Sequence, residues 1–136
     1  MGNTKRVALV TGSASGIGSA VAIKLSSEGF NTIVNYSQSA DSASNTAEKC
    51  NAAGSDTLLV QCDVSNETSV ISMLSDIEKK YGRLDVVVNN AGTSISTLAK
   101  DFDKVSEEEF DRVLAVNVKG MFLVAKHSKG LLSKGI

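Results

Sequence analysis

Val7-Ala8-Leu9-Val10-Thr11-Gly12-Ser13-Ala14-Ser15-Gly16-Ile17-Gly18 is the stretch on which the fold turns. Four apolar residues ending at Thr11-Gly12 have the form of a short strand buried on both faces. From Gly16 the spacing lengthens. Ile17, Val21 and Leu25 recur every fourth residue, which predicts a helix with an apolar stripe that closes at Gly29. The glycine-rich turn between strand and helix has its own backbone logic. Gly12 permits a tight turn, Gly16 lets backbone approach a pyrophosphate, and Gly18 lets the helix lie close on the sheet. The helix N-terminus offers free N–H groups and the positive end of its dipole, and Ser13 and Ser15 add hydroxyl donors. No Gly-Lys-Ser/Thr follows, so this is not a nucleoside-triphosphate P-loop.

The same alternation continues outward. Thr32-Ile33-Val34-Asn35-Tyr36 predicts a second strand, and Ala40, Ala43, Ala47 and Cys50 give residues 37–54 a thin helical apolar face. Thr57-Leu58-Leu59-Val60-Gln61-Cys62 predicts a third strand. Val70, Ile71, Leu74, Ile77 and Tyr81 mark a helix closed by Gly82, and residues 84–89, centred on Val86-Val87-Val88, predict a fourth strand. Ser106-Glu107-Glu108-Glu109 has the form of a capping box, opening a helix that carries Phe110, Val113, Leu114, Val116, Met121, Leu123 and Val124. That helix is apolar on more than one side and is expected to pack against something besides the sheet. Four strands, each followed by a helix across short connections, predict an α/β doubly wound parallel sheet with helices on both faces. A strand order of 3-2-1-4 places a topological switch between the first and fourth strands. Ligands bind at the carboxyl ends of strands at such a switch, here Thr11-Gly12 and Asn89-Asn90-Ala91-Gly92.

Composition narrows the classes. With 136 residues, 42% hydrophobic and no Pro or Trp, the chain has room for one domain whose core is built from Val, Ile, Leu and Ala, and collagen-like or linker readings are excluded. Its 14 basic and 15 acidic residues leave a net charge of −1, so neither nucleic acid nor an anionic membrane is an expected partner. Cys50, Cys62 and the single His127 lack metal-ligand spacing, so no metal site is expected and both cysteines read as small buried hydrophobes. Met1-Gly2-Asn3-Thr4-Lys5-Arg6 has Arg6 where a myristoylation signal needs Ser/Thr at the sixth position, and no apolar run has signal-peptide or membrane-span form. A reducing, cytoplasmic setting is the expectation.

Thr11-Gly12-x-x-x-Gly16-Ile17-Gly18, Cys62-Asp63-Val64, Asn89-Asn90-Ala91-Gly92 and Asn117-Val118-Lys119-Gly120, in this order and spacing, resemble the short-chain dehydrogenase/reductase family. The resemblance implies a Rossmann-type fold and NAD(P)-dependent hydride transfer between carbonyl and alcohol carbons of a small molecule. It assigns Gly12, Ser13, Ser15, Gly16, Ile17 and Gly18 to the cofactor. It also implies that Asp63 hydrogen-bonds the adenine, that Val64 lines its pocket, and that Asn90, Ala91 and Gly92 lie on the ribose and nicotinamide side. Asn89 would stabilise the central sheet. Asn117 matches the active-site asparagine, holding a backbone carbonyl and a water. Blander readings stand beside these: Asp63 as a strand-end residue opening the next turn, and Asn117 on the wet side of its helix. The second strand ends Asn35-Tyr36-Ser37-Gln38-Ser39, with no acid until Asp41 to repel a 2′-phosphate. With Tyr36 and Ser37 at that end, NADP(H) is favoured over NAD(H), although neither Ser15 nor Ser37 is the Arg or Lys of many NADP-preferring members, and Asp41 could reach back.

The family's proton transfer uses a Tyr-x-x-x-Lys pair and a Ser. Tyr36 is followed at that spacing by Ala40 and Tyr81 by Asp85, so of the family's catalytic residues only Asn117 is matched. His127, between Lys126 and Lys129, reads as structural. Two readings follow. In the first, residues 1–136 are the N-terminal cofactor-binding portion of a Rossmann domain incomplete at its C-terminus, inactive alone, with residues 129–136 reaching a turn before a fifth strand. In the second they form a complete, non-catalytic dinucleotide-binding or interaction module. The first predicts an uncovered edge at Val86-Val87-Val88 and an exposed patch at Phe110, Val113, Met121 and Val124, a surface for homo-oligomers. A receiver domain is excluded, because the first strand ends in Thr11-Gly12 rather than paired acids. The Asn-Tyr ending of the second strand resembles both 3-oxoacyl-carrier-protein reductases and sugar or polyol dehydrogenases.

Overall fold

The computed structural model describes residues 5–135; Met1-Gly2-Asn3-Thr4, read above for a lipidation signal, and Ile136 lie outside the described residues. Strands β1 (Val7–Val10), β2 (Asn31–Tyr36), β3 (Leu58–Gln61) and β4 (Val86–Val88) form one parallel sheet in the order β3-β2-β1-β4. Val10 stands opposite both Val34 and Val88, so β1 and β4 end level, β2 runs two residues further, and the loops after them converge. The expected order and switch point are therefore present.

Helices α1 (Gly16–Ser27) and α2 (Ala40–Ala52) pack together on one face, and α3 (Glu67–Tyr81) and α5 (Gly120–Gly135) on the other. The period-two alternation of the strands divides the core accordingly. Leu9 and Ile33 join Val70, Met73, Ile77, Leu84 and Val124 in one cluster, while Val10 and Val34 join Ala22, Ala43, Ala47 and Cys50 in the other. The second cluster is built from small residues, so α1 and α2 lie close to the sheet. Both cysteines are buried and unpaired. No helix among the described residues is long and apolar enough to cross a membrane, and no group of His, Cys, Asp and Glu among them is arranged to hold a metal.

The stripe read on α1 is not its buried face. Ile17 is 78% exposed and Val21 and Leu25 are half-buried, whereas Gly18, Ala22 and Ser26 meet the sheet. Close approach is the cause: a Cβ on Gly18 would lie 2.5 Å from both Asn90 Nδ2 and the Gly12 carbonyl oxygen. Ser26 is tolerated there because its hydroxyl donates to Ala22 O at 2.9 Å and meets the Thr32 hydroxyl at 3.0 Å. On α3, Val70, Leu74 and Ile77 are buried as expected, with Met73 beside them and Ile71 48% exposed; on α2, Ala43, Ala47 and Cys50 are buried with Thr46, and Ala40 is exposed.

The capping box on α4 (Glu107–Leu114) forms as read, with the Ser106 hydroxyl accepting from Glu109 N–H and Glu109 Oε2 accepting from Ser106 N–H, both at 3.1 Å. A wider helical turn, Ala115–Lys119, joins α4 to α5 without a break. Helix α5 continues to Gly135, so the described residues 129–135 are helix and not the expected turn. Val124 belongs to the core rather than to an exposed patch, because α5 lies across α3 with that side inward; Phe110 and Met121 are exposed and Val113 is half-buried. Strand β4 pairs with β1 alone among the described residues, is half-buried throughout, and is shorter than residues 84–89.

Candidate dinucleotide-binding site

The carboxyl ends of the strands open onto a cleft of about 330 Å³ lined by Gly12, Asn35, Ser37, Gln38, Cys62, Asp63, Val64, Asn90, Ala91, Gly92, Thr93, Arg112 and Val116. Its floor is pinned by one residue that sequence reading passed over. Asn35 is buried inside β2, where a polar side chain must find partners. Its Oδ1 accepts from Gly12 N–H at 3.0 Å, while Nδ2 donates to Val60 O at 3.3 Å and Cys62 O at 3.2 Å. Asn35 thus ties the glycine loop to the end of β3. An amide within an otherwise apolar strand was the available signal.

The three loop glycines serve different needs. Gly12 has φ +63°, and a Cβ there would fall 2.7 Å from Ala91 Cα. Gly16 has φ +59° and open space where a Cβ would project. It therefore leaves room beside the N-terminus of α1, where the first-turn N–H groups have no partner within the helix. Ser15, Gly16 and Ile17 are exposed around that open space.

Ser13 does not face this space. Its hydroxyl donates to Val10 O at 2.7 Å and accepts from Asn35 N–H at 3.0 Å, and the residue is fully buried, so it holds the loop to the sheet and has no donor to offer a phosphate. Asn89 and Asn90 also divide differently from expectation. Asn90 Nδ2 donates to Thr11 O and Gly12 O at 3.1 and 3.0 Å, and the Thr11 hydroxyl accepts from the N–H groups of Asn90 and Ala91, both at 3.0 Å. Asn90 is thus the side chain that joins the ends of β1 and β4. Asn89 reaches outward to Met121 O at 3.4 Å and stabilises the helix contact instead.

At the end of β2, Ser37 lines the cleft with its carbonyl held by Gln61 Nε2 at 2.9 Å, and Tyr36 is half-buried just before it. Asp41 sits exposed on the first turn of α2, away from the cleft lining. Across the cleft, Asp63 Oδ1 accepts from Ser65 N–H at 3.0 Å and Ser65 Oγ at 2.7 Å, while Oδ2 accepts from Arg112 Nη1 at 3.1 Å. Burial pushes the Asp63 carboxyl up, but the bonds from Ser65 and Arg112 outweigh it and hold the group below the usual aspartate range. Asp63 lines the cleft and, with Ser65 bonded to its Oδ1, opens the turn into α3 as the blander reading has it. Burial pushes the neighbouring Cys62 thiol up, which suits packing and not nucleophilic chemistry. Val64 is buried against Gly120, whose Cβ would meet Val64 Cγ2 at 2.6 Å.

Asn117 lies in the wider turn between α4 and α5. Its Oδ1 accepts from Thr93 N–H at 2.8 Å and its Nδ2 donates to Thr93 O at 2.9 Å, so both polar atoms clasp one backbone unit of the loop after Gly92. His127 is remote from the cleft, bonded to Glu67 at 2.8 Å between α5 and α3.

The family model described as short chain dehydrogenase matches residues 6–135. The chain belongs to the short-chain dehydrogenase family. This short-chain dehydrogenase chain is 42% identical over 130 residues to elsinochrome reductase 1 of Elsinoe fawcettii, covering 96% of this chain and 48% of that protein. It is 38% identical to the trihydroxynaphthalene reductase of Colletotrichum orbiculare, covering 96% of this chain and 45% of that one. A solved short-chain dehydrogenase/reductase from Burkholderia xenovorans superposes with a TM-score of 0.92 at 29% identity, over 97% of this chain and 54% of that one. The chain thus spans about half the length of the curated relatives it matches. The fold expected from the loop and the strand order is that of the family.

Proposed function

We propose that this chain binds NADP(H) in the cleft at the ends of β1 to β4 and forms the cofactor-binding half of an oxidoreductase acting on a small carbonyl or alcohol. The observation that carries the reading is the cleft at the switch point of the sheet, next to the glycine turn at Gly12 and the N-terminus of α1. When bound, the nicotinamide would supply or accept the hydride. The chain's own residues do the positioning. Ser15, Gly16 and Ile17 present backbone and hydroxyl donors to the pyrophosphate, Asp63 and Val64 flank the adenine, and Ala91 and Gly92 leave a flat wall for the ribose. Asn117 fixes the loop at Thr93 that borders the nicotinamide end.

NADP(H) is favoured because Ser37 and Gln38, not a carboxylate, line the cleft at the end of β2. The names of the reductases quoted above support reduction as the working direction. The only family catalytic residue matched here is Asn117, so the chain alone is expected to bind without turnover. The exposed apolar residues Phe110, Leu114, Val118, Met121 and Phe122 support self-association through the α4–α5 helix, in a reducing cytoplasmic setting. Fluorescence titration tests the reading: saturable NADPH binding, about tenfold tighter than NADH for one added set of phosphate contacts, is expected. Absence of saturable binding to either nucleotide overturns it, and measurable carbonyl turnover by this chain overturns its expected inactivity.

A further inference from the structure

Arg112 is the one residue among those described that lines both the cleft at the strand ends and a neighbouring cleft of about 260 Å³ between α4 and the loop at Ser94, Ile95 and Ser96. It sits in the partition between them. Its Nη1 reaches 49 residues back along the chain, donating to Asp63 Oδ2 at 3.1 Å and to Ser65 Oγ at 2.8 Å. Ser65 Oγ in turn donates to Asp63 Oδ1 at 2.7 Å. Guanidinium, hydroxyl and carboxylate thus close a ring.

The count of acceptor sites gives the ring its consequence. Each carboxylate oxygen accommodates about two donors. Oδ1 is filled by the Ser65 N–H and hydroxyl, whereas Oδ2 takes Arg112 and keeps one acceptor position. The Asp63 side chain is 41% exposed and lines the cleft, so the remaining position is available to a donor entering there. Arg112 also comes from α4, which leads directly into the turn carrying Asn117. The residue that holds Asp63 and the residue that clasps Thr93 therefore belong to one continuous helix.

We propose that Arg112 is a positioning residue for purine recognition: acting through Asp63, it presents a carboxylate oxygen with one open acceptor site to the exocyclic amino group of the adenine. This rests on the dinucleotide reading above. A 6-oxopurine offers an acceptor where adenine offers its exocyclic NH₂, so it sets two acceptors against each other at Oδ2 and must shift to bring its N1–H donor there. The ring therefore discriminates between bases, which a contact that only braced α4 would not do.

The test compares NADPH with its hypoxanthine counterpart, deamino-NADPH, by equilibrium titration of the chain. Wild type is expected to prefer NADPH by about tenfold, the worth of one hydrogen bond to a charged acceptor. Arg112→Met is expected to shrink that preference to about threefold or less, and Asp63→Asn, whose amide can point either its oxygen or its NH₂ at the base, to shrink it further. Arg112→Lys keeps a cation with a shorter reach and is expected to fall between wild type and Arg112→Met, and it carries the same comparison if Arg112→Met does not fold. Equal weakening of both nucleotides by Arg112→Met, with the preference intact, overturns the proposal in favour of a brace on α4. A wild type that binds NADPH without preference overturns the proposal while leaving the dinucleotide reading in place. A wild type that binds neither nucleotide overturns both.

Discussion

Asn35 is the side chain on which loop and sheet both depend, and its replacement by Leu has a calculable cost. The change removes the acceptor for Gly12 N–H and the donor to Val60 O and Cys62 O in a site with 1% exposure. Leaving one buried donor unsatisfied costs about 1–3 kcal/mol, and each net hydrogen bond lost adds about 1 kcal/mol, partly offset by the added apolar surface. We expect about 3 kcal/mol, which for a chain of this size is a fall in Tm of about 10 °C. Urea denaturation followed by circular dichroism gives the free energy directly, with an unchanged m-value as the sign that only stability has moved. Asn35→Asp provides an internal control with its own sign. It keeps an acceptor for Gly12 N–H but sets a carboxylate against two carbonyl oxygens, so its folded pKa rises above the unfolded value. Its deficit relative to wild type should therefore shrink as pH is lowered from 7 towards 5, because the protonated acid can donate. If Asn35→Leu lies within about 0.5 kcal/mol of wild type, the range of an ordinary surface change, the assignment of Asn35 as the anchor is refuted.

The remaining predictions follow from the same geometry. Gly18→Ala places a Cβ 2.5 Å from Asn90 Nδ2 and the Gly12 carbonyl and is expected to cost about 2–3 kcal/mol by overpacking, measured as a drop in urea midpoint. Gly16→Ala meets open space and carries only the strain of φ +59°, about 1–2 kcal/mol. It should lose NADPH affinity out of proportion to that cost, and loss of stability with affinity intact would show the cradle to be misassigned. Asp85 is held low: burial pushes it up, but bonds from Arg83 and Val7 N–H at 2.7 Å outweigh that. A depressed folded pKa contributes stability fully present above the ordinary aspartate value of 3.8 and lost as pH falls through the folded one. Asp85→Asn should be less stable than wild type at pH 7 and nearly matched at pH 2, with a pH-independent gap as the contrary result. Val118→Glu on the exposed helix face is expected to lower the sedimentation-derived mass of any oligomer, since Val118 is 61% exposed among apolar neighbours.

The features legible in the sequence were those set by local backbone chemistry. The strand before Thr11-Gly12, the αL cap at Gly82 and the capping box at Ser106 and Glu109 each depend on residues within one turn of each other, and each stands where it was read. Hydrophobic spacing misled on α1, where Ile17, Val21 and Leu25 make the more regular stripe. Hydropathy ranks side chains by transfer energy, whereas a helix backbone lying against a loop selects by volume. Gly18, Ala22 and Ser26 satisfy the volume limit, and the larger residues are left outside.

The site was legible in its backbone and less so in its side chains. Ser13 and Asn90 sit in the right loops, but which way each side chain points is decided by partners far along the chain. Val10 O and Asn35 N–H take up the Ser13 hydroxyl, and Thr11 O and Gly12 O take up the Asn90 amide. A motif fixes where a residue stands; the nearest unsatisfied backbone group decides what its polar atoms do. Arg112 illustrates the limit most clearly. Nothing within α4 distinguishes it from an exposed helical cation, and its contacts arise only when the fold brings it to Asp63, 49 positions away. The unsatisfied groups at strand ends therefore settle the division of labour at this cleft. Side chains that meet them, as Asn35 and Asn90 do, become framework, and the backbone at Gly16 stays open.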